Sequence, residues 1–227
     1  MDEKKIIVTL ILGSFIMFSF SAFLNMAPEG DATYYYTLAE NIYNGRGLIT
    51  DYIWNFLSKQ ENITHQVNDH WNPLISIITA ISFWLFGESY IISKIPFLFF
   101  GVAYVLVVYF IAKYLLGDNN IAFLSAFLAI FYQPIVLRVP MIDTSILNAI
   151  LSSLSLLFMS IALKREKFIY LSSLFAGLAY LTRSDSALLF VTLLFSFALM
   201  SLNRKKINLG LLAKCFIIFI VVISPYI

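Results

Sequence analysis

The chain has 227 residues, of which 60% are hydrophobic and 12% charged, and its formal net charge is +2. This balance excludes an ordinary soluble domain and indicates a polytopic helical membrane protein. The 15 Lys and Arg residues sit in short clusters beside apolar runs, as topology determinants do, so no nucleic-acid partner is expected.

After the basic start MDEKK, residues 6–24 form an apolar run long enough to span, with no small-residue cleavage pattern behind it. It reads as a retained first helix. Residues 25–71 are the longest polar stretch and open with PEGDATYYY, which puts Asp31 at the mouth of a tyrosine-rich helical pattern. Tyr35, Leu38, Ala39, Ile42 and Tyr43 recur at helical spacing over 33–44, and Gly45 and Gly47 stop it. That piece should lie in the interface, where tyrosine has one wet and one apolar end. Asn62-Ile63-Thr64 is a glycan-acceptor triplet in the same loop. Asp69 and His70 then precede WNPL, and a short apolar helix is expected over 74–86, starting after Pro73, ending at Gly87 and bracketed by Trp71 and Trp84.

The remaining apolar runs are 91–116, 121–139, 145–163, 168–181, 187–202 and 209–227, with Asp143 in the short break MIDTSIL. Cys215 stands alone in the last run and reads as a packing residue. A span needs about 20 residues, which 74–86 lacks. If 74–86 lies on the outer surface, Lys4, Lys5, Lys113, Lys164, Arg165, Lys167, Arg204, Lys205, Lys206 and Lys214 fall inside. Only Arg46, Lys59, Lys94, Arg138 and Arg183 are then outside. The expectation is therefore an all-α membrane protein of about seven spans, with two juxtamembrane helices in the first outer loop and residues 1–227 as one module. Asp31, Asp69, Asp143 and Asp185 all fall on the outer face.

Taken singly, these residues have plainer readings. Asp31 and Asp143 could each cap a helix start, accepting backbone N–H bonds. His70 could be an interfacial hydrogen-bonding residue, and Arg138 and Arg183 could snorkel to headgroups.

The ordered series of motifs resembles the GT-C superfamily of membrane glycosyltransferases, which includes protein O-mannosyltransferases and aminoarabinose transferases. The series comprises GDATYYYTLAENIYNGRGL, HWNPL, FGES with SKIP, AKYLLG, RVPMIDTSIL, AGLAYLTRSD and the final SPYI. It departs from the family where Ala32 follows Asp31 in place of a second acid, and where Lys94 stands at a position commonly Arg. Relatives usually continue with further spans and often a soluble domain, so the C-terminal part of the family is read as absent.

The resemblance implies sugar transfer from a polyprenyl-phosphate donor to an acceptor hydroxyl on a protein, lipid or glycan, with inversion, at the extracytoplasmic face. A lipid-linked donor arrives at headgroup depth, where the loop acids wait. Displacement at the anomeric carbon needs a base for the acceptor proton and positive charge for the departing phosphate. Asp31 is assigned as the base, with Asp143 to orient the acceptor or bind a metal. His70, Arg138, Arg183, Lys94 and Tyr35 are assigned to the donor. Asp69 and His70 offer ligands of the kind Mn or Mg takes, although spacing alone names no ion. The expected location is the cell membrane of a prokaryote in preference to the endoplasmic reticulum. The alternative is a non-catalytic scaffold or a lipid-sugar transporter subunit. A transporter should carry ionisable or broken-helix positions at the midplane, and the prolines here fall near run ends.

Overall fold

The computed structural model describes residues 2–24, 27–28, 30–51, 62–66, 71–204 and 209–224, which form two compact units, Met1–Ile146 and Leu147–Ile227. Helices dominate both units. Among the described residues, three are by length and composition apolar enough to cross a membrane: Glu3–Leu24, the continuous stretch Tyr90–Leu116, and Ser145–Ala162.

In the first unit, α1 (Glu3–Leu24) is followed by α2 (Asp31–Tyr43), the two-stranded hairpin β1 (Ile49–Thr50) and β2 (His65–Gln66), and α3 (Leu74–Phe86). A short α4 (Tyr90–Ser93) leads into α5 (Ile95–Leu116), and α6 (Asn119–Phe131) and α7 (Gln133–Arg138) complete the unit up to the start of α8 (Ser145–Ala162). Helix α3 has the expected limits. Pro73 precedes its first turn, where a missing N–H costs nothing, and Gly87 ends it at φ 92°, a left-handed conformation suited to glycine.

Helices α1 and α5 run antiparallel and are fastened at both ends. Lys113 Nζ, near the end of α5, meets Glu3 Oε1 at 2.6 Å, and Lys94 Nζ, just before α5, donates to the Ala22 carbonyl at 2.9 Å. Between these clamps the helices approach closely at Gly101, where a Cβ would lie 2.7 Å from the Phe18 ring and 2.8 Å from a Val139 methyl. Such contact through a small residue is how helices gain dispersion energy where lipid offers no hydrophobic drive.

The apolar run 121–139, expected as one element, is two helices. Tyr132 adopts an extended conformation (φ −67°, ψ 107°), and Pro134, lacking an N–H, sits in the first turn of α7 instead of continuing α6. The break brings Val136 to α1, where Ser21 Oγ donates to its carbonyl at 2.7 Å.

The second unit contains the body of α8, a 3-10 turn Glu166–Phe168, α9 (Ile169–Tyr180), a second 3-10 turn Ser184–Ser186, α10 (Ala187–Arg204) and α11 (Leu209–Ile223). Antiparallel α8 and α9 exchange hydroxyl bonds, Ser155 Oγ to the Ser172 carbonyl at 2.9 Å and Ser172 Oγ to the Ser155 carbonyl at 2.8 Å. Helix α9 turns small residues to α11. Ser173 Oγ donates to the Cys215 carbonyl at 2.6 Å, and one turn later a Cβ on Gly177 would meet Val222 at 2.9 Å. Cys215 is fully buried here, as its packing role requires.

Gly101→Ala should therefore destabilise the detergent-solubilised protein by about 1–3 kcal/mol, because Phe18 and Val139 are fully buried and cannot yield. An unchanged thermal midpoint would mean that the α1–α5 approach is looser than described.

Candidate functional site

The α1 contacts assign the sequence-derived candidates of the first unit to one end of it. Ser21 and Ala22, in the last turn of α1, hold Val136 and Lys94. Glu3 and Lys113 mark the opposite end. Asp31 opens α2 a few residues beyond α1, and Arg138 and Asp143 follow Val136. Lys94, Arg138 and Asp143 thus lie at the C-terminal end of α1, and Asp31 opens the next helix along the chain.

The Lys94 ammonium is buried, with 4% of the residue exposed. The last four carbonyls of a helix have no intrahelical partner, and Lys94 satisfies one of them at the negative end of the α1 dipole. Its Nζ also lies 4.3 Å from the centroid of the Tyr90 ring. Beside it opens a cavity of about 540 Å³, walled by Ser19, Ala22 and Phe23 of α1 and by Tyr90, Lys94 and Leu98. Its lining is apolar apart from serine hydroxyls and this one cation.

Tyr90 links the cavity to α2 and α3. The Tyr36 ring of α2 packs edge-on against Tyr90 (6.0 Å) and Phe83 (5.6 Å), while Trp84 Nε1 reaches the Tyr43 carbonyl at 3.4 Å. Tyr35 is buried, edge-on to Tyr34 at 5.5 Å, and Tyr34 in turn meets the Trp71 ring at 5.0 Å. Asp69 and His70, immediately before Trp71, lie outside the described residues, as does Glu29. Among the described residues no three His, Cys, Asp or Glu side chains gather as a metal site.

The two principal acids differ. Asp143 is a cap and more. Its Oδ1 accepts the Ser145 N–H at 2.7 Å, and its Oδ2 accepts Arg138 Nη1 at 2.8 Å and the Ser145 hydroxyl at 3.2 Å. Asp31 is no cap. Gly30 holds the N-cap position at φ 55° with no side-chain bond, and Asp31 is the exposed first residue of the helix. Its carboxylate engages no partner among the described residues.

Sequence reasoning missed two further groups in this loop. Glu40, one turn beyond Tyr36, shares a hydrogen bond with Glu88, which follows α3. Its pKa is raised by burial first and by the Glu88 charge second. Burial, then the same two carboxylates, push the Tyr36 phenol up to about 12. The second group fastens the hairpin. Arg46 forks onto Asp51 (2.6 and 2.7 Å), Thr64 donates to Asp51 at 3.0 Å, and Asn41 donates to the Ile49 carbonyl at 2.7 Å. The i, i+4 spacing of Tyr36 and Glu40 was a readable signal. The approach of Glu88, far along the chain, was not.

In the second unit, Arg183 pairs with Asp185, Nη2 to Oδ2 at 3.1 Å and Nε to Oδ1 at 3.2 Å, and the guanidinium lowers the Asp185 pKa.

The structure is that of a predominantly helical integral membrane protein with a carboxylate, an arginine and a buried lysine at one end of α1. The family model of dolichyl-phosphate-mannose-protein mannosyltransferase matches residues 69–227, and the chain belongs to that GT-C family. Family membership makes it a mannosyltransferase-like membrane glycosyltransferase with a lipid-linked donor. No curated protein and no solved structure matches the chain. The family match begins at Asp69, so Asp31 and α2 precede it.

The hairpin anchor has a defined pH dependence. The Arg46 hydrogen bond lowers the Asp51 pKa from 3.8 to about 2 against an opposing effect of burial, with lesser help from Thr64, Asn41 and the Arg46 charge. A depressed acid stabilises the fold above its unfolded pKa and loses that contribution as pH falls toward its folded value. Hydrogen exchange at Ile49 and Gln66 should therefore be flat with pH above 4, after correction for intrinsic rates, and accelerate between 3.8 and about 2. Asp51→Asn should remove the step, and a wild-type profile without it would rule out the ion pair as the anchor.

Proposed function

We propose that the chain transfers a hexose from a polyprenyl-phosphate donor to an acceptor hydroxyl, with inversion, at the extracytoplasmic end of a seven-span module. The observation that carries the reading is the contrast between the two acids. Asp31 is exposed and uncommitted among the described residues, as a proton acceptor must be. Asp143 has both oxygens engaged and serves to hold Arg138.

In this reading the acceptor oxygen bonds the anomeric carbon while its proton passes to Asp31. The bond from that carbon to the phosphate oxygen breaks, and the lipid phosphate leaves with the electron pair. Phosphate is a good leaving group, so positive charge serves it better than a general acid. Arg138 spends one Nη1 hydrogen on Asp143, and its side chain is 56% exposed, so the guanidinium is suited to meeting phosphate in a fork. Arg183, exposed and paired with Asp185 in the second unit, is likewise a residue of the kind that meets a lipid phosphate. The apolar cavity beside Lys94 suits an isoprenoid chain, with the ammonium at the level of the phosphate. The charge rule supports an extracytoplasmic assignment for this end, because the lysines at the far end, Lys4, Lys5 and Lys113, belong to the cytoplasmic majority.

The scaffold alternative predicts that Asp31 can be lost without effect. Asp31→Asn should reduce sugar release from a polyprenyl-phosphate hexose in proteoliposomes by about 10²–10⁴-fold, the usual contribution of a general base, with insertion intact. Full turnover by that variant would remove the proposed base.

A further inference from the structure

Between α9 and α10 the chain reads Thr182-Arg183-Ser184-Asp185-Ser186, and both ends of this turn are tied to one atom. Thr182 Oγ1 and Ser186 Oγ each lie 2.8 Å from Asn148 Oδ1 on α8. Thr182 is 1% exposed and Ser186 6%, so neither hydroxyl can readily exchange its partner for water. The Thr182 proton is shared in a three-centre bond with the Ala179 carbonyl, at 2.6 Å. The two lone pairs of the Asn148 oxygen are thereby filled.

Arg183 is thrown outward between these anchors. Its backbone is extended (φ −148°, ψ 127°) between the last turn of α9 and the 3-10 turn Ser184–Ser186, and its side chain is 48% exposed. Asp185 takes the Nε and Nη2 edge of the guanidinium, which fixes the plane of the fork. A long arginine on a mobile turn would lose rotamer and backbone freedom on meeting a ligand. Pinning the turn at both ends removes part of that cost in advance. No charge on Asn148 is needed for this, only an acceptor oxygen placed to receive both hydroxyls.

We propose that Asn148 is a positioning residue, holding the Thr182–Ser186 turn so that Arg183 is set to receive the donor phosphate. The inference rests on the reading that Arg183 meets that phosphate, and the experiment separates the two. Binding of a polyprenyl phosphate to the full chain in nanodiscs is measured for Arg183→Gln, Asn148→Leu and the double variant. Arg183→Gln should weaken binding about tenfold or more, Asn148→Leu severalfold, and the double variant no more than Arg183→Gln alone, because Asn148 acts only through Arg183. The pair Thr182→Ser with Ser186→Thr keeps both hydroxyls and should bind as wild type, whereas Thr182→Val with Ser186→Ala should match Asn148→Leu. If Asn148→Leu does not fold, the two hydroxyl pairs carry the same comparison, alone and combined with Arg183→Gln. Unchanged binding by Arg183→Gln would overturn the phosphate reading itself. Weakened binding by Arg183→Gln, with Asn148→Leu or the hydroxyl-free pair either unaffected or additive to it, would overturn the positioning role alone.

Discussion

The charged hydrogen bond from the Lys94 ammonium to the Ala22 carbonyl joins α5 to the C-terminal end of α1. A helix that ends within or near a bilayer leaves carbonyls that water cannot reach freely, and an unmet one costs several kcal/mol by order of magnitude. A lysine at the start of α5 meets that requirement and neutralises the negative end of α1 in the same contact. Because the ammonium also lies over Tyr90, and Tyr90 packs on Tyr36, α2 is linked to the same end, alongside its packing on α3.

This arrangement explains why opposite demands are met by two similar residues. Asp143 is surrounded by donors supplied within a few positions of the chain, Arg138 before it and Ser145 after it. Asp31 follows a glycine at positive φ, and the residues one turn on, Tyr34 and Tyr35, are aromatic. Local sequence alone therefore makes one carboxylate a structural anchor and leaves the other available. The same logic separates the arginines, since each is oriented by an acid two or five positions away in the chain.

Much of the helical framework was readable because its signals are local. The limits of α3 follow from Pro73, Gly87 and an unbroken apolar run, and α2 from the spacing of its tyrosines and the glycines behind it. The division of the run 121–139 was not read, because hydropathy is blind to the missing N–H of Pro134. For the site, residue types and their order along the chain were legible. Pairings were legible only where partners are near in sequence. Arg138 with Asp143 is of that kind, whereas Glu40 with Glu88, Lys94 with Ala22 and Asn148 with Thr182 depend on helix packing that no spacing rule encodes.

The small residues of α9 bear on how the protein is made. With 12 residues, α9 is about 18 Å long, well short of the roughly 30 Å hydrocarbon core. Its hydroxyls at Ser172 and Ser173 find partners on α8 and α11. A segment this short, with two hydroxyls that need partners, is a poor substrate for the insertion machinery by itself. During synthesis it should be retained only when α8 accompanies it as a hairpin, and it should settle fully once α11 has emerged. The sequence of α9 is then constrained by the order in which its neighbours leave the ribosome as well as by the finished fold.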